Sequence, residues 1–424
     1  MKTLTIALIG GGGRGSTYTD YALKNPDKFK VTAIAEPVDA KREYLCELHN
    51  IPKENCFKTW QELLSRPKLA DIAMICTQDR DHFEPAMAAM KLKYDLLLEK
   101  PISPYPAECK KIAEAAKENN VKVLVCHVLR YTDFYKTIKN FIDDGKLGEI
   151  MNIIHTEGVG NIHQSHSFVR GNWNNSDESA PMILAKSCHD TDLLQWLIGE
   201  PCKKVQSFGS LSYFKKENAP EGSPEYCMDG CPAKDECFYY APNLYKKGEW
   251  AECLRDIVAN KFNATDDEVN EALKKGPYGK CAFKCNNNVV DHQIVNMQFG
   301  DDKYVCFTMS AFNKGGRTTR IMGTKGELTA NMEDSSIEFY NFETKKTEII
   351  LSPDKEFDDT INGGHGGGDQ GIMEDLYEYV ANGKISKSIS DISVSCRNHI
   401  INFAAEEARV NGGVVDIEQY ERNL

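Results

Sequence analysis

Residues 3–23 constrain the fold most strongly, because they read as a strand, a glycine turn and a helix in direct succession. The apolar run TLTIALI at 3–9 leads into GGGGRG at 10–15, and a helical stretch begins at about residue 16. The first, third and last of these glycines fit the spacing G-x-G-x-x-G of dinucleotide-binding turns, where backbone approaches a pyrophosphate at a helix N-terminus. The residues predicted to contact the cofactor here are Gly10, Gly12, Gly13, Arg14 and Gly15.

The second predicted strand, 30–35, ends in Glu36, where dinucleotide-binding folds carry an acid that binds the adenosine ribose. A carboxylate at this point accepts hydrogen bonds from the ribose hydroxyls and repels a 2′-phosphate. The sequence therefore favours NAD over NADP. Lys41 and Arg42 lie close by in the sequence and leave NADP as the alternative, and a glycine turn without any ligand is a further one.

The same alternation continues to about residue 128. Strands are predicted at 70–77, 96–99 and 121–127, with helical stretches between them. This pattern predicts an α/β Rossmann domain, with a doubly wound parallel sheet that binds ligands at the carboxyl ends of its strands. The side chains expected at those ends are Thr77, Gln78, Glu99, Lys100 and His127.

The stretch LLLEKPISPY at 97–106 places a carboxylate and an ammonium directly after a buried strand. Lys100 is expected beside the nicotinamide, and Pro101 stiffens the turn that presents it, with a cis Lys-Pro bond as one option. A surface pair of Glu99 and Lys100 at a strand end is the alternative.

Beyond about residue 148 the pattern changes to strands joined by short polar turns. They are predicted at 149–160, 204–213, 292–299, 303–312, 318–330, 336–341 and 346–351. These runs predict an α+β domain with a large, mostly antiparallel open sheet. We expect a cofactor domain at 1–128 and a substrate and oligomerisation domain at 129–424, with helices at 370–382 and 393–411 packing back on the first domain.

The segment SCHDTDLLQWLIGEP at 187–201 reads as a helix that Ser187 can cap and Gly199 ends. His189 and Asp192 are three residues apart and share one face, so the carboxylate could orient the imidazole as a general base. The alternative is that His189 only caps a helix packed through its apolar residues.

Two loops carry further candidates for binding a polyol. The loop at 161–173 contains His163, His166, Arg170 and Trp173, which combine aromatic surface with hydrogen-bond donors. The glycine-rich stretch NGGHGGGDQG at 362–371 is expected to fold over the substrate, with His365 in contact. A solvated loop and a plain linker are the respective alternatives.

Taken together, GGGGRG, Glu36, TQDRDH at 77–82, EKP at 99–101 and CHDTD at 188–192 resemble the Gfo/Idh/MocA oxidoreductases, over the whole chain except an insertion. The resemblance implies hydride transfer from a secondary hydroxyl of a sugar, glycoside or cyclitol to NAD(P), with Lys100 beside the nicotinamide and His189 as acid/base. It adds His82 to the cofactor residues. Many members carry an aspartate four residues before the histidine; here that residue is Ala185, followed by Lys186.

A closer resemblance joins LRY at 129–131, HSFVRGNW at 166–173 and KSCHD at 186–190 to a subgroup with a cysteine-rich insertion. It implies substrate contacts from Arg130, Tyr131 and Asp192, and the family pattern implies a homodimer or homotetramer through the second-domain sheet. Two other functions fit the same residues: glycoside cleavage through transient oxidation and elimination, and NAD sensing without catalysis.

The cysteine-rich insertion spans about 214–288. Thiolates gathered there could bind a structural zinc, with loosely packed thiols or a disulfide as alternatives. The candidate ligands are Cys227, Cys231, Cys237, Cys281 and Cys285.

The overall charge and hydropathy argue against some classes of binding partner. The net charge of −12 argues against nucleic acids and anionic membranes, and no apolar run approaches the roughly 20 residues that cross a bilayer. The first ten residues read as a strand and not as a signal peptide. We therefore expect a cytoplasmic location and cysteines that are mostly reduced.

Overall fold

The computed structural model describes residues 2–248, 250–352 and 365–424. Residues 362–364 of the glycine-rich loop lie outside the described residues, whereas His365 lies within them. None of the helices in these three ranges is long and apolar enough to cross a membrane.

Six strands in the first 125 residues form one sheet, and every neighbouring pair is parallel. They are β1 (Leu4–Ile9), β2 (Phe29–Ala35), β3 (Cys56–Phe57), β4 (Ile72–Ile75), β5 (Asp95–Leu98) and β6 (Val123–Val125). The strand order β3-β2-β1-β4-β5-β6 reverses between β1 and β4, the point where such sheets bind ligands beyond their carboxyl ends. The predicted α/β Rossmann sheet is confirmed.

The chain contributes fifteen α-helices in the described residues, besides short one-turn segments. Those of the first domain are α1 (Gly13–Lys24), α2 (Asp39–Leu48), α3 (Trp60–Leu64), α4 (Phe83–Lys91) and α5 (Pro106–Asn119). The next are α6 (Asp133–Asp143), α7 (Asn161–His163), α8 (Met182–Ala185), α9 (Cys188–Ile198), α10 (Ala241–Lys246), α11 (Ala251–Ala259) and α12 (Asp266–Lys275). The last are α13 (Gly368–Asn382), α14 (Ile392–Asn411) and α15 (Ile417–Arg422).

Two of the C-terminal helices pack on opposite faces of the first sheet. Helix α13 joins the apolar layer of α1 and β2, where the rings of Phe29 and Tyr377 lie 5.6 Å apart. Helix α14 packs against α5 on the other face. Just before α14 the chain runs beside β6, where the Val125 N–H donates to the Ser390 carbonyl at 2.9 Å. Both faces and one edge of the first sheet are thus covered by the end of the chain.

Nine strands form the second sheet. Among the described strands of this sheet, β7 and β10 are the one pair that runs parallel. The nine strands are β7 (Ile150–Gly158), β8 (Cys202–Ser210), β9 (His292–Phe299), β10 (Lys303–Ser310), β11 (Gly316–Gly323), β12 (Gly326–Asn331), β13 (Ser336–Asn341), β14 (Lys346–Leu351) and β15 (Val415–Asp416). Their order is β14-β13-β12-β11-β7-β10-β9-β8-β15, which confirms the mostly antiparallel sheet. The single strand predicted at 318–330 is two strands, because the chain reverses between Gly323 and Gly326.

The inner face of the second sheet carries polar side chains where β7 and β11 approach the first domain. Alternate residues of β7 point inward, so His155 and Glu157 are buried in phase with Ile153. The register sets Glu157 opposite Arg317 and His155 opposite Thr319. Helix α9 lies over these pairs, since Asp190 contacts both His155 and Arg317.

The insertion forms a small helical unit with a core of its own. Helices α10, α11 and α12 bury apolar side chains against one another, among them Leu244, Leu254 and Leu273. The unit also reaches the first domain, where Lys41 donates to the Asn260 side chain at 2.6 Å.

Cys227, Cys231 and Cys281 of the insertion are buried core residues, and the zinc prediction is not supported. Within the described residues no group of three or more histidine, cysteine, aspartate or glutamate side chains is arranged to hold a metal ion. Cys227 lies 3.7 Å from the Lys280 carbonyl and Cys285 lies 3.4 Å from the Cys281 carbonyl, so these thiols can donate to backbone. They also belong to two separate apolar clusters.

Two other cysteines depart from the expected reduced state, because Cys46 and Cys56 form a disulfide. Cys46 lies near the end of α2, and Cys56 begins β3 at the sheet edge. The two Cα atoms lie 6.5 Å apart.

Candidate active site

The glycine turn has the geometry that a bound dinucleotide requires. Gly10 has a φ of +95°, and a Cβ there would lie 2.5 Å from the Cys76 carbonyl oxygen. A Cβ on Gly15 would lie 2.2 Å from the Gly10 carbonyl oxygen, so α1 packs close to the turn only without a side chain. At Gly12 and Gly13 a Cβ would meet nothing within 4 Å. The N-terminus of α1 is therefore open on the side where a pyrophosphate would bind.

Glu36 is tied to the glycine turn. Its carboxylate accepts from the Gly11 N–H at 2.7 Å and from the Val38 N–H at 2.9 Å. The neighbouring Arg42 is buried and donates to the Glu36 carbonyl at 2.8 Å. The guanidinium that could have held a 2′-phosphate is thus engaged with protein.

The Glu99 carboxylate lines the cavity and also binds Arg14 of the glycine turn. It accepts from Arg14 at 2.9 Å and from the Tyr18 hydroxyl at 2.8 Å. Burial alone would raise the pKa of Glu99, but Arg14 and Lys100 beside it lower the pKa below its usual value. Arg14 also pairs with Asp369 at the start of α13. The turn is therefore linked to the C-terminal part of the chain.

Lys100 and His189 line one cavity of about 230 Å³ at the carboxyl ends of β4 and β5. The Lys100–Pro101 bond is cis, and the Lys100 ammonium donates to the Ala185 carbonyl at 2.7 Å. The same ammonium lies 5.7 Å from the centre of the Trp173 ring. Larger clefts lie elsewhere, but this cavity brings together the side chains suited to hydride and proton transfer.

His189 is held as a neutral imidazole. It is 6% exposed, and burial, followed by the nearby charge of Lys100, lowers the pKa of His189 well below its usual value. Its Nδ1 atom has no hydrogen-bond partner among the described residues. The rings of His127 and His365 each lie 6.0 Å from the His189 ring, centre to centre.

The structure places Arg130, Tyr131 and Asp192 away from the cavity, in contrast to the prediction. Arg130 forms a buried bidentate pair with Asp192, at 2.6 and 2.7 Å. Asp192 therefore does not orient His189, although the two share a helix face. The Tyr131 hydroxyl bonds to Ser390 at 2.8 Å and holds the C-terminal segment.

The loop at 161–173 is divided between the cavity and the insertion. His163 and Trp173 line the cavity, as does His365. His166 instead stacks on Tyr278 at 4.8 Å, and Arg170 donates to the carbonyls of Lys280 and Tyr239. Residues 164–170 form a buried π-helical segment, in which His166 and Arg170 contact the insertion and do not line the cavity.

The remaining predicted cofactor residues lie around the cavity in different roles. Thr77 lines it, while Gln78 is exposed and bonds to Asn172. His82 is buried and joins the Pro101 and Thr77 carbonyls, at 2.7 and 3.2 Å, so it shapes the turn. His127 is buried behind His189, and neither ring nitrogen has a hydrogen-bond partner among the described residues, although Nε2 lies 4.0 Å from the Asp192 carboxylate.

Several charged residues next to the cavity were given no role in the site from the sequence. Asp79 accepts from the Trp173 indole at 3.1 Å, and Lys186 lines the cavity wall beside Ala185. Glu157 lies behind Lys186, at 3.5 Å. The sequence of β7 does indicate buried polar residues, because a histidine and a glutamate fall at the same alternate positions as its buried apolar residues.

Comparison with known proteins covers most of the chain. Residues 4–127 match the family model described as the NAD-binding Rossmann fold of the Gfo/Idh/MocA oxidoreductases. Residues 139–391 match the model of that family's C-terminal alpha/beta domain.

Individual relatives are distant. The oxidoreductase-family protein YteT of Bacillus subtilis is 26% identical over 380 residues, which are 82% of each chain. Inositol 2-dehydrogenase of Salmonella typhimurium is 22% identical over 208 residues, 49% of this chain and 58% of the relative. The structure of a levoglucosan dehydrogenase with NADH and levoglucosan aligns over 98% of this chain and 100% of its own, with a TM-score of 0.71 and 17% identity. At that identity the likeness shows the fold.

Proposed function

Because the chain belongs to the Gfo/Idh/MocA family of NAD-binding oxidoreductases, we propose that it oxidises a secondary hydroxyl of a sugar, glycoside or cyclitol. One observation carries the proposal: Lys100 and His189 line the same cavity, at the strand ends next to the glycine turn. Relatives named for inositol and levoglucosan support the substrate class.

Oxidation of an alcohol requires a base that takes the O–H proton and an acceptor that takes the hydride. NAD supplies the hydride acceptor when it is bound. His189 is neutral and can accept the proton directly or through a water. The Lys100 ammonium donates a hydrogen bond to the same oxygen and stabilises its developing negative charge. The Ala185 carbonyl holds that ammonium in place.

NAD, not NADP, is the cofactor that the adenosine side favours. Glu36 presents a carboxylate at the end of β2, and Arg42 is occupied with the Glu36 carbonyl and with Asp39. A 2′-phosphate would therefore meet a negative charge without a free guanidinium to balance it. We expect NAD to bind more tightly than NADP in a calorimetric titration.

The cavity walls suit a polyol. Trp173 offers an aromatic face, and His163 and His365 offer ring nitrogens beside it. Such a wall binds the C–H face of a sugar ring through apolar contact and its hydroxyls through hydrogen bonds.

The test is to incubate the protein with NAD and a panel of sugars, cyclitols and glycosides, following NADH and all products. NADH formed with one class establishes the dehydrogenase. Release of an aglycone without net NADH would favour glycoside cleavage through transient oxidation. Binding of NAD with neither product would leave a sensor.

Substitutions connect that activity to the cavity. Lys100→Met and His189→Ala should each lower turnover roughly 100- to 10,000-fold while the affinity for NAD changes little. Lys146→Met, an exposed lysine, serves as the matched control. Full activity in both cavity variants would overturn the assignment.

We further propose a homodimer or homotetramer assembled through the outer face of the second sheet. Ile154, Phe208, Ile294 and Tyr304 are 45%, 61%, 44% and 50% exposed on neighbouring strands. An exposed apolar patch of this kind is typical of a protein interface. Light scattering would test it, with Phe208→Glu expected to shift the mass toward the monomer.

A further inference from the structure

A buried cluster of charged side chains lies directly behind the cavity wall. Glu157 of β7 is bonded to Arg317 of β11 at 2.6 Å and accepts from the Ser187 hydroxyl at 3.0 Å. Arg317 also pairs with Asp190 of α9 at 2.6 Å. The Lys186 ammonium lies 3.5 Å from Oε1 of the same glutamate, the oxygen that Arg317 also contacts.

Lys186 connects this cluster to the cavity. Its side chain is 16% exposed and lines the cavity together with Lys100, His189 and His365. Ala185, immediately before it, offers no carboxylate to the cavity, and its carbonyl is already occupied by Lys100. Among the described residues that line the cavity, the carboxylates are Asp79, which accepts from Trp173, and Glu99, which holds Arg14.

A proton removed from the substrate needs a destination, and His189 is a poor one. The imidazole is buried beside Lys100, so its protonated form is strongly disfavoured, and Nδ1 has no partner among the described residues to stabilise it. A proton that reaches His189 must therefore move on.

We propose that Glu157, reached through Lys186, is the final acceptor of the proton that leaves the substrate hydroxyl. This inference rests on the proposed function. It assigns Lys186 as the group on the cavity wall that takes the proton on from His189, and Glu157 as the group that stores it.

The step balances as follows. An N–H bond of the Lys186 ammonium breaks and an O–H bond forms on the Glu157 carboxylate, which leaves a lone pair on Lys186. The substrate O–H bond breaks and an N–H bond forms on His189. That N–H bond then breaks as the proton passes on and a new N–H bond forms at the Lys186 lone pair. The carbinol C–H bond breaks with its electron pair, which is accepted by the nicotinamide, and the carbon–oxygen double bond forms. Lys186 ends as it began, an ammonium, and Glu157 ends neutral.

The surroundings of Glu157 suit that role. Burial and the neighbouring Asp190 raise the pKa of Glu157 to about 7, against the opposing effect of Arg317 and Lys186. A base with a pKa near the working pH both accepts and releases a proton readily. Tyr135 of α6 also interacts with this group, and His155 of the same strand bonds to Asp190.

The surroundings of Lys186 favour release of its proton. Burial lowers the pKa of Lys186 from its usual value, Glu157 and Asp190 oppose that effect, and Arg317 and Lys100 add to it. From the cavity side, Lys186 also interacts with His163 and His365. A lysine in such a site exchanges protons more easily than one in water.

The first test separates relay from a structural ion pair. Lys186→Arg keeps a positive charge beside Glu157, but a guanidinium does not lose its proton in a protein. If Lys186 relays the proton, the rate of hydride transfer in this variant should fall about a hundredfold. Its affinity for NAD and its unfolding midpoint should stay near the wild-type values. If it retains wild-type turnover, the relay is overturned.

The pH profile gives a second readout that packing would not change. The rate of hydride transfer in the wild-type protein should rise with pH through an apparent pKa of about 7, because Glu157 must be ionised to accept a proton. Glu157→Gln should lose this acidic limb and about a hundredfold in rate. An unchanged limb in Glu157→Gln would overturn the proposal.

A third measurement needs no substrate. Infrared difference spectra of the protein with bound NAD should show a protonated carboxyl band that disappears at about pH 7, is absent in Glu157→Gln and persists to higher pH in Lys186→Met. Ionisation of Glu157 near its ordinary value of about 4.5 would overturn the relay and leave the proposed function intact. The expected spectra without oxidation of any substrate would instead overturn the proposed function, and the relay with it.

Discussion

Replacement of Arg130 by methionine tests whether the Arg130–Asp192 pair is structural. Both side chains are almost fully buried, at 3% and 1% exposure, and two short hydrogen bonds join them. Methionine fills the volume of the arginine stem but leaves Asp192 without its partner. Removing one partner of a buried ion pair costs about 3–5 kcal/mol, because the remaining charge has lost its compensation.

The loss should depend on pH. Burial raises the pKa of Asp192, and Arg130 opposes that rise, so without the guanidinium the pKa rises further. In the folded variant, Asp192 then keeps its proton to a higher pH than in the unfolded chain. The stability of the variant therefore falls as the pH rises above the pKa of Asp192 in the unfolded chain. The difference from wild type should therefore be larger at pH 8 than at pH 5.

Urea unfolding, followed by tryptophan fluorescence, measures this effect through the midpoint at unchanged slope. The double variant Arg130→Met/Asp192→Leu removes both charges and should recover most of the loss. Lys203→Met, which breaks the exposed pair with Asp301, is the control and should leave the midpoint unchanged. A small loss in Arg130→Met that is independent of pH, or no recovery in the double variant, would refute the reasoning.

Three further outcomes can be measured on the same preparations. Gly15→Ala should weaken NAD binding at least tenfold by calorimetry, because the new Cβ would lie 2.2 Å from the Gly10 carbonyl and push α1 away from the turn. The stability of wild type relative to Glu157→Gln should fall between about pH 4.5 and 7, since the folded state holds a proton on Glu157 in that window and the unfolded chain does not; a constant difference contradicts the raised pKa. A zinc chelator should leave the unfolding midpoint unchanged, and a fall would revive the metal assignment for the insertion.

Periodicity predicted most of the fold, because each face of a strand has one environment. Strands at 292–299, 336–341 and 346–351 have the predicted bounds, since polar turns interrupt the alternation on both sides. The stretch at 318–330 is two strands and not the predicted one, because the exposed pair Thr324 and Lys325 forms a turn between Gly323 and Gly326, across which the buried positions change from odd to even numbers.

The site was harder to predict, because spacing along a helix does not reveal which side chain has a partner. Asp192 shares a face with His189, yet Arg130 from another element takes its carboxylate. Loop composition also misled: the polar residues at 164–170 are buried under an insertion whose position no local pattern indicates. Lys186 and Glu157 meet only because α9 is laid across β7, a contact between distant parts of the chain.

The way the C-terminal segment completes the first sheet bears on how the chain is made. Residues 1–128 emerge from a ribosome well before α13 and α14, which cover the two faces of that sheet. Until then the part of the apolar layer that Tyr377 covers at Phe29 lacks α13, and the edge at Val125 lacks the segment before α14. We expect the nascent first half to remain a client of chaperones until synthesis ends, and the fragment 1–128 to be insoluble when expressed alone.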